Sequence, residues 1–272
     1  MLLDLDKLAV PEYDAAIFSE KKTKYCLVVP TLNEGERFVS QVIKMKKNGI
    51  FNLIDVIVAD AGSKDGSTDK AKLEETGFRS LLVRRGEGRY STDMRMAWHW
   101  AIDQGYDGFV MVDGNDKDDV SATVIKNFTQ RLDEGYDYIQ GSRFIKGGLG
   151  IRTPLSRFIA IKCICTPVMA IAGRRIVTDG TNGFRAYSKK FLLDPRVNPF
   201  RDVFNKYEVI YYLPPRAGAL QFKCTEVPVT RAYPENGDIP TKADSRANWE
   251  VILLLLKILF GRLNPNIGDN HE

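Results

Sequence analysis

The chain has 272 residues, 44% of them hydrophobic and 27% charged, with a formal net charge of +4. This length and balance predict a folded globule with a substantial core and exclude a disordered chain. The mild basic excess suits phosphate-bearing ligands or an anionic membrane surface, and without a long basic run or an RNA-binding signature it argues against a nucleic-acid partner.

The cysteines and the N-terminal residues indicate the kind of protein and its compartment. The four cysteines form no CxxC pair and only two histidines are present, so a structural zinc site is not expected. Cys26, Cys163 and Cys165 lie in apolar stretches and are expected to be buried, reduced thiols, which fits the cytoplasm. Residues 1–6 are acidic where a secretory signal is basic, and the longest apolar stretch, 251–260, is about half of a spanning helix. We therefore expect neither a signal peptide nor a spanning helix.

In chain order, residues 1–24 show no clear hydrophobic period and are interpreted as an N-terminal extension. From Tyr25, short apolar runs alternate with helical patterns. Strands are predicted at residues 25–29, stopped by Pro30, and at 53–59, 80–83, 109–112 and 136–140, with helices at 67–76, 89–103 and 121–134. Repeated βαβ units predict an α/β fold with a mostly parallel sheet and helices on both faces.

The rhythm changes after residue 141, where a glycine-rich loop precedes an apolar helix at 155–172. A strand near 184–187, a helix at 203–213, a strand at 221–229, a loop at 231–244 and an amphipathic helix at 247–262 follow. This half is expected to form a second layer that closes over the first.

Polar segments follow three of the predicted strands. They are Pro30-Thr-Leu-Asn-Glu34, Asp60-Ala-Gly-Ser-Lys-Asp-Gly-Ser67 and Asp113-Gly-Asn115-Asp116. Ligands of open α/β sheets bind beyond the carboxyl ends of the strands, so these segments should meet in one crevice. The second segment lacks the GxGxxG spacing of dinucleotide binders, which argues against an oxidoreductase.

A carboxylate directly after a buried strand, as at Asp113, is well placed to hold a divalent cation. Mg²⁺ and Mn²⁺ favour oxygen ligands and bridge diphosphates with one or two protein carboxylates. A turn built from Asp, Gly and Asn for backbone reasons alone explains the same residues equally well. Asp60 ends its strand with a side chain available to a base or a ribose hydroxyl.

These segments, followed by Gly141-Ser-Arg143 and Thr181-Asn-Gly-Phe-Arg185, resemble the ordered motifs of the family 2 inverting glycosyltransferases with a GT-A fold. The nearest branch is the dolichol-phosphate (polyprenol-phosphate) mannosyltransferase-like one. The resemblance spans roughly residues 25–260. It implies a Rossmann-like GT-A catalytic domain at 25–245 and a C-terminal helix and tail at 246–272.

The resemblance also implies the donor-side roles. Pro30, Asn33 and Glu34 would line the nucleotide pocket, and Asp60 would contact the base or ribose. Asp113 and Asn115 stand where the family's metal-binding DxD lies, with Mg²⁺ or Mn²⁺ as the expected cofactor. Members often have a second acid where this chain has Ala61 and an Asp where it has Asn115, so the adjacent Asp116 is a further candidate ligand.

On the acceptor side, the attacking group in this branch is an anionic phosphate oxygen held by basic side chains. Arg143 and Arg157 match that branch, Lys162 stands where a second Arg is common, and Ile161 replaces a hydroxyl residue.

Other positions carry alternative roles. Arg185 would contact the donor diphosphate or brace the loops, and Lys242 resembles the Lys of a late loop that folds over the diphosphate; either could instead be a solvated surface charge. Glu208 falls near a Glu that the family places facing the site. If the acceptor is a hydroxyl, Glu208 or Asp179 would be needed as a base.

The expected function is transfer of a hexose or hexose derivative, with inversion, from a GDP- or UDP-sugar to a polyprenyl phosphate at the cytoplasmic membrane face. One rival acceptor is a sugar hydroxyl of a lipid-linked oligosaccharide or surface polysaccharide, and a rival from another class is a non-catalytic nucleotide-sugar binder. The helix at 247–262, with Trp249, Lys257 and Arg262 beside its apolar face, either packs on the core or lies in the membrane interface, together with the 155–172 helix.

Overall fold

The computed structural model of the chain describes residues 2–235 and 245–266, the second range with side chains from residue 249 onward. Its strands are β1 Tyr13–Ile17, β2 Tyr25–Thr31, β3 Asp55–Asp60, β4 Ser80–Arg84, β5 Gly108–Met111, β6 Tyr138–Ser142, β7 Leu149–Ile151, β8 Arg185–Ser188, β9 Cys224–Pro228 and β10 Thr230–Ala232. Its helices are α1 Glu36–Lys47, α2 Ile50–Leu53, α3 Lys70–Thr76, α4 Tyr90–Asp103, α5 Ala122–Asp133, α6 Leu155–Ile159, α7 Thr166–Gly173, α8 Lys189–Leu192, α9 Glu208–Ala219 and α10 Ser245–Leu259.

The described strands form a central sheet in the order β1-β4-β3-β2-β5-β8-β6-β9 and a small parallel pair, β10-β7. In the central sheet, β1 is antiparallel to β4 and β8 is antiparallel to both β5 and β6, while the remaining strands run in one direction. The predicted α/β class with a mostly parallel sheet is therefore confirmed.

Alternate residues of the central strands feed two apolar cores, one on each face of the sheet. In β2, Cys26 and Val28 belong to the core that also contains Trp98 of α4. Leu27 and Val29 belong to the core of α1, α3 and α5. Because successive side chains of a strand point to opposite faces, a strand covered on both sides reads as a continuous apolar run.

Three local predictions were wrong. Residues 13–17, within the predicted extension, form edge strand β1, whose half-exposed pattern carries little apolar signal. β2 continues through Pro30, whose missing N–H faces β5 beyond the end of their ladder at Val28–Met111. The predicted loop at 231–244 begins with β10, and residues 236–244 lie outside the described residues.

Helix α9 also extends further than predicted, because it runs through Pro214 and Pro215 to Ala219. Proline lacks the N–H that would bond the carbonyl four residues earlier. The carbonyl of Ile210 instead accepts a hydrogen bond from Arg185 (Nη1–O, 2.8 Å). A side chain from β8 therefore substitutes for the missing helical donor.

Residues 155–173 form one continuous helix in which a π-helical segment at 160–165 joins α6 to α7. This helix packs against α10 through Cys165, Met169 and Leu255. Cys26 and Cys165 are buried as expected, but Cys163 is exposed, since it lies on the helix face away from this contact.

By length and composition alone, the 155–173 helix is apolar enough to cross a membrane, with a mean hydropathy of 1.6. It is the one such helix among residues 2–235 and 245–266. The expectation that no segment reaches that length and hydropathy was wrong, because it rested on the longest uninterrupted apolar run, and Arg157 and Lys162 interrupt the sequence of this helix.

Candidate functional site

The polar segments that follow β2, β3 and β5 lie together, as predicted; residues 32–35, 61–67 and 112–116 are called the loop cluster below. Asn33 donates its backbone N–H to Ser63 Oγ (2.9 Å), and its side-chain Oδ1 accepts from the Lys64 N–H (2.8 Å). The Gly35 N–H donates to Asp65 (2.7 Å). The Gly114 N–H reaches the Pro30 carbonyl (3.0 Å), which joins the third segment to the first.

Asp60, at the end of β3, is almost fully buried and organises its own loop. Its Oδ1 accepts from the N–H groups of Gly62 and Ser63 and from Ser63 Oγ, at 2.7 to 3.0 Å. Its Oδ2 accepts from Thr68 Oγ1 (2.7 Å). Both carboxylate oxygens therefore shape the loop, and a direct contact of Asp60 with a base or ribose stays a prediction.

Glu34 is partly buried at the rim of the loop cluster, where Arg37 donates to its Oε2 (2.9 Å). Burial raises the pKa of Glu34 against the opposing charges of Arg37 and Lys117. Pro30 is buried in β2 and contributes its carbonyl rather than an exposed surface. The structure thus places Asn33 and Glu34 at the open side of the cluster and Pro30 beneath it.

Asp113 and Asn115 present oxygen atoms in the turn after β5. Asp113 is 24% exposed, and Gly183 approaches so closely that a β-carbon there would lie 2.8 Å from Asp113 Oδ1. The Asn115 Oδ1 is buried and has no hydrogen-bond partner within the described part of the chain. An unpaired amide oxygen two positions after a carboxylate fits Mg²⁺ or Mn²⁺, because both ions prefer oxygen ligands. These ions need few protein ligands when a diphosphate supplies the others.

Asp116, the third candidate ligand, is engaged elsewhere. Its carboxylate accepts from Lys44 Nζ (2.7 and 2.8 Å) and from Ser40 Oγ (2.8 Å), both on α1. Its backbone is left-handed, with φ of 58°, and its N–H donates to Gln41. Among residues 2–235 and 245–266 no group of three or more His, Cys, Asp or Glu side chains is arranged to hold a metal. Asp113 with Asn115 is thus the better placed pair.

Arg231, which sequence reasoning missed, reaches the same turn from β10. The backbones of residues 117–119 and 230–232 are hydrogen-bonded, which sets Arg231 beside Asp118. Its Nη1 contacts Asp118 Oδ2, and its Nη2 lies 3.3 Å from Asp113 Oδ2. Asp118 is fully buried; burial raises its pKa to about 6 although the charge of Arg231 opposes this.

Arg143, at the end of β6, is buried in a two-pronged ion pair with Asp179. Its Nε and Nη2 donate to the two carboxylate oxygens, each at 2.7 Å, and its backbone N–H donates to one of them (3.1 Å). The carboxylate of Asp179 is completely buried. Asp179 therefore serves as the counter-ion of Arg143, and this geometry does not favour it as a base.

Arg157, on α6, meets Arg143 at the hydroxyl of Tyr233. The Nη1 atoms of both arginines lie 3.3 Å from that hydroxyl, and the Arg157 guanidinium stands 5.5 Å from the Tyr233 ring centroid. Buried Lys117 lies 5.9 Å from the same centroid. Arg143, Arg157, Lys117 and Tyr233 are called the basic cluster below.

Charge dominates the chemistry of the basic cluster. Burial alone would raise the pKa of Tyr233, but the charges of Arg231, Arg143 and Arg157 outweigh it and lower that pKa. Burial and then the charge of Arg231 lower the pKa of Lys117. The lowered pKa of Tyr233 indicates a positive environment, which favours an anion.

Lys162 and Ile161 flank this region on the π-helical segment. Lys162 Nζ lies 3.9 Å from the ring centroid of Phe144, and Ile161 is buried. The structure therefore places Lys162 on an aromatic ring next to the Arg143 strand end, and it places no hydroxyl at position 161.

Arg185 braces the surrounding loops. It is 1% exposed, and besides the Ile210 carbonyl it bonds the carbonyls of Asn182 (2.6 Å) and Gly180 (2.7 Å). Its donors are directed at the backbone, which corresponds to the bracing alternative. Glu208 lies at the first turn of α9 and accepts from the Lys206 N–H (2.7 Å). Lys242 lies outside the described residues.

The residues that sequence reasoning missed, Lys117, Asp118, Arg231 and Tyr233, belong to two segments hydrogen-bonded across the site. One available signal was the Lys-Asp pair directly after the Asp113 turn. Arg231 and Tyr233 fell in a stretch interpreted as a loop, where nothing in the local pattern indicated burial.

No family model matches the chain. Over 169 residues, 62% of the chain, it is 30% identical to Glycosyltransferase AglJ of Haloferax volcanii, and over 169 residues it is 24% identical to Polyprenol monophosphomannose synthase of Mycolicibacterium smegmatis. The matches cover 52% and 62% of those proteins, so the chain spans about half to three fifths of their length.

The fold resembles that of glucosyl-3-phosphoglycerate synthase from Mycobacterium tuberculosis, crystallised with Mn²⁺, UDP and glucosyl-3-phosphoglycerate. That structure gives a TM-score of 0.58 at 15% identity, over 90% of this chain and 81% of that one. At this identity the likeness establishes the fold. The chain therefore has the GT-A glycosyltransferase fold that its ordered motifs indicate.

Proposed function

We propose that the chain is a glycosyltransferase that moves a hexose, with inversion, from a GDP- or UDP-sugar to a polyprenyl phosphate. The observation that carries the proposal is the juxtaposition of an oxygen pair, Asp113 with Asn115, and the basic cluster, with Arg231 between them. The first suits a metal and diphosphate, and the second suits a second phosphate.

The donor half rests on the loop cluster. Asn33 is exposed and Glu34 is half-buried beyond the ends of the parallel strands, where open α/β sheets bind nucleotides. A divalent cation held by Asp113 and Asn115 would neutralise the charge that develops on a leaving nucleoside diphosphate. The relative crystallised with Mn²⁺ and UDP supports this use of the fold.

The acceptor half rests on the basic cluster. An anionic phosphate oxygen is already a nucleophile, so orientation by arginine matters more than proton removal. Arg157 is only partly buried and is held at Tyr233, so it is the member best placed to meet an incoming phosphate. The polyprenol monophosphomannose named for the Mycolicibacterium smegmatis relative agrees with such an acceptor.

Peripheral association with the cytoplasmic membrane face forms part of the proposal. The 155–173 helix and α10 pack together, yet Leu155, Ile171, Trp249 and Phe260 are each more than 60% exposed. Exposed apolar side chains with nearby basic residues suit a membrane interface. Sedimentation with anionic vesicles tests this: Leu253→Ser should weaken binding, whereas Ile17→Ser, equally exposed at 55% on β1, should leave it unchanged. Equal binding by both variants would contradict a membrane-binding role for this surface.

A sugar hydroxyl is the second candidate acceptor, and buried Ile161 favours it because no hydroxyl stands there to help hold a phosphate. Such a reaction needs a base, and with Asp179 paired to Arg143 the candidate is Glu208.

The deciding experiment supplies purified protein with labelled GDP- and UDP-sugars, Mg²⁺ or Mn²⁺, and lipid extract, and treats the product with mild acid. A sugar linked to a lipid monophosphate is released, whereas a glycosidic bond to a glycan survives. Sugar-nucleotide binding without turnover under either metal would instead support the non-catalytic binder.

A further inference from the structure

Arg231 introduces a positive charge into the turn that would hold the metal. The side chain is 9% exposed, and its backbone is fixed by pairing between residues 117–119 and 230–232. Its two contacts differ in kind. The contact to the fully buried Asp118 is the tighter, while Asp113, at 3.3 Å, is partly open to solvent. Asp118 is therefore the permanent partner and Asp113 the exchangeable one.

A divalent cation and a guanidinium compete for the same carboxylate. With Arg231 on Asp113 and an amide instead of an acid at Asn115, the turn carries little net negative charge toward a bare metal ion. A diphosphate changes this balance because its oxygens can accept from the guanidinium and also bind the metal. Arginine is suited to such an exchange between carboxylate and phosphate.

We propose that Arg231 is a built-in counter-cation of Asp113 that opposes metal binding until a nucleoside diphosphate is present, so that metal and nucleotide bind cooperatively. Arg231 is a positioning residue in this role, because it acts through Asp113. The inference rests on the proposed donor site and adds the coupling between its two ligands. Coupling of this kind is reciprocal: each ligand tightens the other by the same factor.

The test measures binding of Mn²⁺ by electron paramagnetic resonance of the free ion, with and without saturating UDP or GDP. The double variant Arg231→Gln/Asp118→Asn removes both members of the buried pair, so no unpaired charge is left inside. It should bind Mn²⁺ alone more tightly than wild type by on the order of tenfold, and its coupling to the nucleotide should shrink accordingly. Arg231→Lys, which keeps the charge, should remain near wild type.

The single variant Asp118→Asn should change the affinity for Mn²⁺ in the opposite direction. With its permanent partner neutralised, Arg231 turns more fully to Asp113, so Mn²⁺ binding without nucleotide should weaken. A purely structural role for Arg231 would shift the two variants in the same direction, and equal metal affinity in wild type and the double variant would overturn the inference. Failure of the donor site itself looks different: wild type would then bind no Mn²⁺ with either nucleotide, and Asp113→Ala would change nothing.

Discussion

The loop cluster and the basic cluster lie side by side but are stabilised in different ways. The loops are joined by backbone N–H groups and small polar side chains, largely exposed, between positions about 30 residues apart. The arginines of the basic cluster are held by Asp179 and Tyr233, which are buried and lie 36 to 90 positions away. Each loop is therefore held by several separate hydrogen bonds, whereas the basic cluster depends on the buried ion pair of Arg143 with Asp179.

The largest effect should come from breaking the Arg143–Asp179 pair. Arg143→Leu leaves a completely buried carboxylate without its partner, so the free energy of unfolding should fall by about 3–5 kcal/mol. Urea denaturation provides the measurement. The matched control is Arg85→Leu, whose ion pair with Asp14 is more than half exposed, so its loss should leave the free energy of unfolding nearly unchanged. Equal losses would erase the contrast between buried and exposed pairs.

Removal of the carboxylate at Asp113 tests the loop cluster for chemistry rather than stability. Asp113→Ala should lower kcat/KM for sugar transfer by on the order of 10²–10³-fold, because a charge-stabilising group is lost, while the fold persists. The exposed neighbour provides the control, since Asp119→Ala should leave the rate near wild type. A fully active Asp113→Ala enzyme would contradict the metal assignment.

This contrast also explains what the sequence could predict. The α/β class and the meeting of the three loops follow from local features, namely apolar runs ended by turn-forming polar residues. Asp60, Asn33 and Asp113 were found in this way. Arg231 and Asp118 were not, because a buried ion pair between positions 113 residues apart leaves no periodic trace. Bracing was one of the alternatives predicted for Arg185, and the local pattern could not choose it because the Ile210 carbonyl that Arg185 bonds is left free by Pro214 in another element.

A smaller effect is expected at the open side of the basic cluster. Arg157→Gln should raise the acceptor KM roughly tenfold to a hundredfold, the value of a charge-assisted hydrogen bond, and leave the donor KM unchanged. Separate titrations of lipid phosphate and sugar nucleotide measure the two. Arg174→Gln, at the exposed end of the same helix, serves as the control. A change in the donor KM alone would indicate that Arg157 contacts the sugar nucleotide rather than the acceptor phosphate.

The smallest effect concerns Asp93, a buried carboxyl beside the loop cluster. It is an exception to the contrast above, because it is paired with an arginine although the neighbouring loops are held by largely exposed hydrogen bonds. Burial raises its pKa to about 6, although Arg84 donates to it at 2.6 Å and opposes the shift. Since the folded state keeps this proton between pH 4 and 6 while the unfolded chain releases it, the wild-type free energy of unfolding should fall as the pH rises through that window. Asp93→Asn removes the titration, so the difference between the two proteins should change by about 1–2 kcal/mol between pH 4 and 7. Parallel curves from urea denaturation would show instead that Arg84 keeps Asp93 ionised throughout, and a permanently charged buried pair would then lie beside the loop cluster.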